Sequence, residues 1–270
     1  LCMIKMKIPK KKDGKKLIKF FIDLKLNEIV KFSKQKALSV NQMQTNIPFK
    51  PELLDLYRLY NFVLENKRTT VMEFGSGWSS LIFVLALNKL KKKYFNEVKK
   101  LRRNNPFELF IVDNEKKYLK LTKKRIDNYF KKNKIKNIIK IHYCFSKVKM
   151  TEFNGSYCTT YNNFPLCNPD FFYLDGPGQF SVINKINGFS TAHKDMMPMV
   201  SDINKIEPFL TPGTIIVTDG RGANAKFLKD NFKKNWLYKY QKDFDQHLFY
   251  LDDPVLGKLN KAQLRFYKKK

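Results

Sequence analysis

Residues 69–87 read TTVMEFGSGWSSLIFVLAL. A short apolar run of β-favouring residues (70–74) passes through Gly75-Ser76-Gly77 into a stretch (78–87) whose apolar residues cover one face of a helix. Strand, tight glycine turn and helix, in that order, open a nucleotide-binding α/β domain. The glycines let the backbone approach a ligand and adopt dihedrals that a side chain forbids. The helix N-terminus beyond them offers unpaired N–H groups. Two details narrow the choice of ligand. Ser80 holds the third position of a G-x-G-x-x-G pattern, so the dinucleotide fingerprint is incomplete. Glu73, two residues before Gly75, puts a carboxylate at the strand end, awkward beside a pyrophosphate and suited to a cationic ligand.

Outward from that unit, the spacing predicts an amphipathic helix over 52–65, after Pro48 and Pro51, and another over 17–32. Residues 1–50 read as a lysine-rich helical extension of the main domain, 51–252. After the glycine unit, 88–105 is a helix extension or an insertion, ended by Pro106. Residues 108–112 (ELFIV) form a second strand with Asp113 at its carboxyl end, where a doubly wound sheet places its ligand. Asp113 is either a ligand residue or the N-cap of the helix predicted over 116–130. Residues 136–145 supply a third strand followed by Ser146, and 147–168 read as irregular. Residues 170–174 (DFFYL) supply a fourth strand ending in Asp175-Gly176-Pro177-Gly178. A polar segment, 179–198, contains His193 and leads to a helix around 199–209. The fifth strand, 214–218, ends in Asp219-Gly220-Arg221; a helix over 224–232 and an antiparallel hairpin over 236–251 follow. Residues 253–270 read as a basic tail.

The chain has 270 residues and 43% hydrophobic content, enough for one large α/β domain. No window holds 18 uninterrupted apolar residues, so no transmembrane helix is expected, and the lysine-interrupted N-terminus does not read as a signal peptide. Four cysteines (Cys2, Cys144, Cys158, Cys167) form no C-x-x-C pair and no zinc spacing with the three histidines. They read as free thiols of a reducing cytoplasm. The net charge is +29, but only seven of the 53 basic residues are arginine, the residue that forks onto phosphates. The lysines are spread over most of the chain. They are read either as solvated faces or as a contact for nucleic acid or an anionic surface.

With Glu73-x-Gly75-x-Gly77, Asp113 after the second strand, Asp175 after the fourth and Thr211-Pro212-Gly213 before the fifth, residues 51–252 resemble the class I S-adenosylmethionine-dependent methyltransferases. The resemblance implies a doubly wound, mostly parallel seven-stranded sheet with a reversed last strand and helices on both faces. It implies S-adenosylmethionine as cofactor. Glu73 would face the cationic amino-acid part, directly or through water. Gly75, Ser76 and Gly77 would lie beside the ribose and methionine carbons, Asp113 would take the ribose hydroxyls, and Ser146 and Asp175 complete the set. Asp175, Asp219 and His193 are the candidates for acceptor chemistry, His193 by its intrinsic pKa. In metal-dependent members, Asp175 and Asp219 would jointly hold Mg²⁺; Gly220 stands where those members carry asparagine. Arg221 is a candidate clamp for an anionic acceptor. Asn168-Pro169-Asp170-Phe171 precedes its strand and does not match the motif of amino-directed DNA methyltransferases. The expected activity is methyl transfer to oxygen or nitrogen of a small molecule or sugar. The alternatives are an RNA-directed methyltransferase using the basic surface, a non-catalytic binding protein on the same fold and, last, a nicotinamide-dependent oxidoreductase.

Overall fold

The computed structural model describes residues 5–36 and 49–269. Cys2, Pro48 and residues 37–48 of the leader lie outside them. The central element is a seven-stranded sheet. In chain order its strands are β1 (Thr70–Phe74), β2 (Glu108–Asp113), β3 (Lys140–Phe145), β6 (Phe171–Leu174), β7 (Ile215–Asp219), β8 (Trp236–Gln241) and β9 (Gln246–Leu251). A separate two-stranded hairpin, β4 (Val148–Phe153) and β5 (Ser156–Tyr161), interrupts the series. The spatial order is β3-β2-β1-β6-β7-β9-β8, and β9 runs antiparallel to both its neighbours. That is the sheet the resemblance implies, reversed last strand included.

Side chains alternate across this sheet, as the two-residue period of a strand requires. Val71, Leu109, Ile111, Tyr173, Val217 and Leu248 enter one core; Met72, Phe74, Phe110, Leu174, Ile216 and Phe249 enter the other. Helices α3 (Leu53–Glu65), α4 (Trp78–Val98) and α5 (Lys116–Asn133) cover the first face. Helices α6 (Asp202–Ile206) and α7 (Gly222–Asn231), together with the hairpin, cover the second. The interval 88–105 begins as a continuation of α4, which runs unbroken to Val98.

Three expectations differ from the structure. Residues 17–32 are two helices, α1 (Gly14–Asp23) and α2 (Asn27–Ser33), parted at Lys25, whose φ is 58°. The break lets Leu26 and Ile29 join Phe21 in the main core, so the leader shares the core of the domain it precedes. Residues 147–168, expected to be irregular, contain the hairpin β4–β5, turned by Asn154-Gly155 with φ of 50° and 73°. Asn-Gly between two short runs is the usual signal for such a turn. Residues 253–270 are not a free tail. They carry α8 (Lys258–Lys268), whose Phe266 and Tyr267 are buried in the same core. There the Tyr267 hydroxyl donates to Asp170 at 2.7 Å, and Asp170 also accepts from the backbone N–H groups of Thr69 and Thr70. The last helix thereby closes the amino-terminal end of the sheet below β1 and β6.

Candidate cofactor and acceptor crevice

Strand order reverses between β1 and β6, and a ligand crevice is expected beyond the carboxyl ends of such a pair. The backbones are closest there. Asp175 N donates to Phe74 O at 3.0 Å and Gly75 N to Val112 O at 2.8 Å. A Cβ on Gly176 would stand 2.5 Å from Gly75 N, and Gly75 itself has φ +94°. Both glycines are therefore required by the protein's own geometry. Gly77 is different: its φ of −179° suits any residue, and a Cβ there would meet nothing nearer than Ser79 Oγ at 3.9 Å. The space that a Cβ would take at Gly77 is open.

Glu73 does not lie open to that space. It is buried, with Ser79 Oγ donating to Oε1 and Ser80 Oγ donating to Oε2 at 2.6 Å. Burial pushes its carboxyl up to about 8, against the lowering effect of the two hydroxyls. Both carboxyl oxygens of Glu73 are thus engaged by serine hydroxyls, which stand between it and the turn. In this structure Glu73 joins the strand end to the first turn of α4. The same geometry explains Ser80 in place of a third glycine. Its Oγ also accepts from Gly77 N at 3.2 Å, so one hydroxyl bridges turn and carboxyl.

Asp113 ends β2 beside the turn. Its carboxylate accepts from Ser76 Oγ and, at 2.8 Å, from Glu115 N, and burial raises its pKa to about 6. That bond goes to Glu115, the N-cap residue of α5, so Asp113 shapes the turn that leads into the helix and is not its N-cap; its carboxylate keeps lone pairs available. Ser76 is thereby tied to Asp113. Ser146 N donates to Asp113 O at 3.0 Å, and its Oγ accepts from Asn163 N at 2.8 Å. The Ser146 hydroxyl thus anchors the segment after the hairpin.

Two further polar groups were not singled out from sequence. Asn114, 8% exposed, accepts from Gly178 N through Oδ1 at 3.1 Å, while its Nδ2 has no partner. Tyr161, 4% exposed at the end of β5, packs 5.6 Å from Phe74, and its hydroxyl also has no partner. Buried polar groups are nearly always paired, and a water or a ligand group could complete either orphan. Asn114 carried a signal in its position next to Asp113. Tyr161 carried none, because the hairpin that brings it here was itself unread.

On the other wall, Leu174 lies opposite Thr218, so Asp175 and Asp219 follow at adjoining strand ends. The Asp175 side chain is 55% exposed, with Arg221 Nε 3.7 Å from its carboxylate. Arg221 also donates to Pro177 O at 3.2 Å. Asp219 accepts from the Tyr173 hydroxyl at 3.3 Å; burial, with Asp55 and Asp175 adding repulsion, pushes it up to about 8. Asp55, on α3, is raised to about 6, chiefly by burial. His193 is not brought to these carboxylates. Its ring is 60% exposed, its Nδ1 accepts from Asp195 N at 3.2 Å, and its carbonyl accepts from Gln179. Among the described residues no group of three or more histidine, cysteine, aspartate or glutamate side chains is placed to hold a metal ion. No helix among them is long and apolar enough to cross a membrane.

No protein-family model matches the chain, and no curated protein matches it. Among solved structures it is similar to the O-methyltransferase TomG from Streptomyces achromogenes, solved in complex with SAM. The identity is 11%, over 90% of this chain and 92% of that one, with a TM-score of 0.35. It is also similar to an O-methyltransferase from Bacillus cereus, solved in complex with SAH. The identity there is 9%, over 88% of this chain and 97% of the other, with a TM-score of 0.39. Similarity at that level adds nothing to what the strand order and the residues of this chain carry themselves.

Proposed function

We propose that this chain is an S-adenosylmethionine-dependent methyltransferase acting on a small-molecule acceptor. The observation that carries the proposal is the switch-point crevice. There the strand order of the class I methyltransferases brings Asp113, the open face of Gly77 and the orphaned Asn114 Nδ2 to one place. The residues present fit the cofactor. Asp113 suits a pair of ribose hydroxyls. Asn114 Nδ2 is a free donor for the nucleoside. The open backbone at Gly77 admits close approach by the methionine part.

When bound, the cofactor supplies an electrophilic methyl carbon on a sulfonium, which already carries its leaving group. The protein's share is then positioning and, where the acceptor needs it, removal of a proton. Asp175 and Asp219 lie at the strand ends that would face the acceptor. Asp219, raised to about 8, holds its proton near neutral pH and would accept one only once ionised. Glu73 would feel a cationic ligand through the two serines and not by contact.

Calorimetric titration with S-adenosylmethionine and, separately, NAD⁺ tests the proposal. Micromolar binding of the first and none of the second is expected, and Asp113→Ala should weaken it at least tenfold, about 1.4 kcal/mol. Tighter binding of NAD⁺ would move the reading to the oxidoreductase class. An RNA acceptor remains the second reading, favoured by the +29 charge alone.

A further inference from the structure

The last helix lies at the end of the sheet opposite the crevice, and its outward face carries one sign of charge. Lys258, Lys261, Arg265 and Lys268 recur along α8 at intervals of three and four residues, which puts them on one face; Lys269 extends it, and all five are exposed. No acidic residue lies on the helix. Asp252 and Asp253, which precede it, are turned to other lysines: Lys5 Nζ is 2.8 Å from the first and Lys234 Nζ 3.8 Å from the second. Lys269 meets Glu97, near the end of α4, at 2.7 Å.

Two further observations bear on what such a face meets. The loop that enters α8 holds aliphatic side chains out in solvent. Val255 is 49%, Leu256 61% and Leu259 53% exposed. Phe209, 75% exposed, lies at the same end, since Lys234 Nζ donates to Pro208 O and Leu210 O on either side of it while also reaching Asp253. Single exposed apolar residues are ordinary, but a group of them beside a basic face is the pattern of an interaction site. In addition, an open groove of about 590 Å³ runs between α8 and the end of α4. Leu101 and Phe266 floor it, and Lys100, Arg265 and Lys268 rim it. Cations above an apolar floor suit an amphiphilic anion, its charged group at the rim and its carbon chain below.

We propose that this face is a docking surface for an anionic lipid bilayer, with Val255, Leu256, Leu259 and Phe209 entering the interface and the cations of α8 among the phosphate head groups. The helix lies along the surface and does not cross it. Each lysine near an anionic leaflet adds attraction, and the apolar contact adds a contribution that salt does not screen. RNA fits the face less well. Three of its four exposed apolar side chains are aliphatic and give bases nothing to stack on, and only one of its five cations is arginine. A second copy of the chain would bring the same five charges against their like. Tyr267 and Asn260 fasten α8 to the amino-terminal end of the sheet, through Asp170 at 2.7 Å and Pro212 O at 3.3 Å. A docked molecule therefore keeps its crevice open to solvent at the far end. The proposal is independent of the methyl-transfer reading.

The test is co-sedimentation of the whole chain with two kinds of vesicle, phosphatidylcholine alone and phosphatidylcholine with one part in three of phosphatidylglycerol. Binding to the mixed vesicles should be at least tenfold tighter than to the neutral ones. A triple variant, Lys258→Glu, Lys261→Glu and Arg265→Glu, should lose at least tenfold. A double variant, Val255→Ser and Leu256→Ser, should lose at least fivefold. Both should keep the wild-type urea midpoint, because all five side chains are exposed. Filter binding of polyuridylate is the companion measurement, and the serine pair should leave it within twofold of wild type. Vesicle binding that the serine pair does not weaken would overturn the proposal, as would equal binding to neutral vesicles or binding to neither. Polyuridylate binding that the serine pair weakens as much as vesicle binding would assign the face to RNA instead.

Discussion

At the scale of single residues, the side chain that most changes meaning between sequence and structure is Glu73. Its position two residues before Gly75 was legible, but its protonation was not, because that depends on burial and on two serines of the next helix. A buried carboxyl raised to about 8 keeps a proton that the unfolded chain releases near 4.5. Between those values the native state binds more protons than the unfolded state, so stability from this group is greatest at low pH and falls as pH rises towards 8. Asp113 and Asp219 shift in the same direction. Urea unfolding at pH 5 and pH 8 should show wild type losing stability over that interval and Glu73→Gln losing distinctly less. An equal loss in both would show that Glu73 is ionised in the folded protein. Asp113 and Asp175 were readable because they stand at strand ends with little choice of direction. Asn114 and Tyr161 were not, since an orphaned polar atom is a fact about neighbours and no residue type announces it.

At the scale of elements, the β1 and β6 ends meet so closely that two glycines are needed for different reasons. Gly176→Ala would drive a Cβ to 2.5 Å from Gly75 N, a backbone atom that cannot move aside. It should cost about 1–3 kcal/mol in urea melts and abolish cofactor binding. Gly155→Ala, at φ +73° with nothing within 4 Å, should cost about 1–2 kcal/mol and leave binding unchanged. The parallel strands were legible from their continuous apolar runs. The β4–β5 hairpin was harder, because its strands mix lysine, threonine and tyrosine, although Asn154-Gly155 carried the turn signal. The last helix was obscured by its lysines. What secures it is a long-range bond from Tyr267 to Asp170 that no local pattern reveals. Tyr267→Phe should destabilise by about 1–2 kcal/mol, read from the urea midpoint at unchanged slope.

At the scale of the whole molecule, a lysine-rich exterior surrounds the crevice. Along α5, exposed lysines follow one another with few acidic partners; Lys123 pairs with Asp127 and Lys132 with Glu28. Generic attraction to RNA through such a surface should fall at least tenfold between 50 and 200 mM salt, by release of counterions. Cofactor affinity over the same range should change less than twofold, because its contacts lie inside the crevice and are screened little. Filter binding and calorimetry at both salt concentrations separate the two. The most direct test of the central claim is a crystal structure of the chain with S-adenosylhomocysteine. Both ribose hydroxyls should lie within hydrogen-bond distance of Asp113, the methionine part over Gly77 and the sulfur facing the wall of Asp175 and Asp219. A nucleoside bound elsewhere on the molecule, or an Asp113 that touches no part of the ligand, would contradict it.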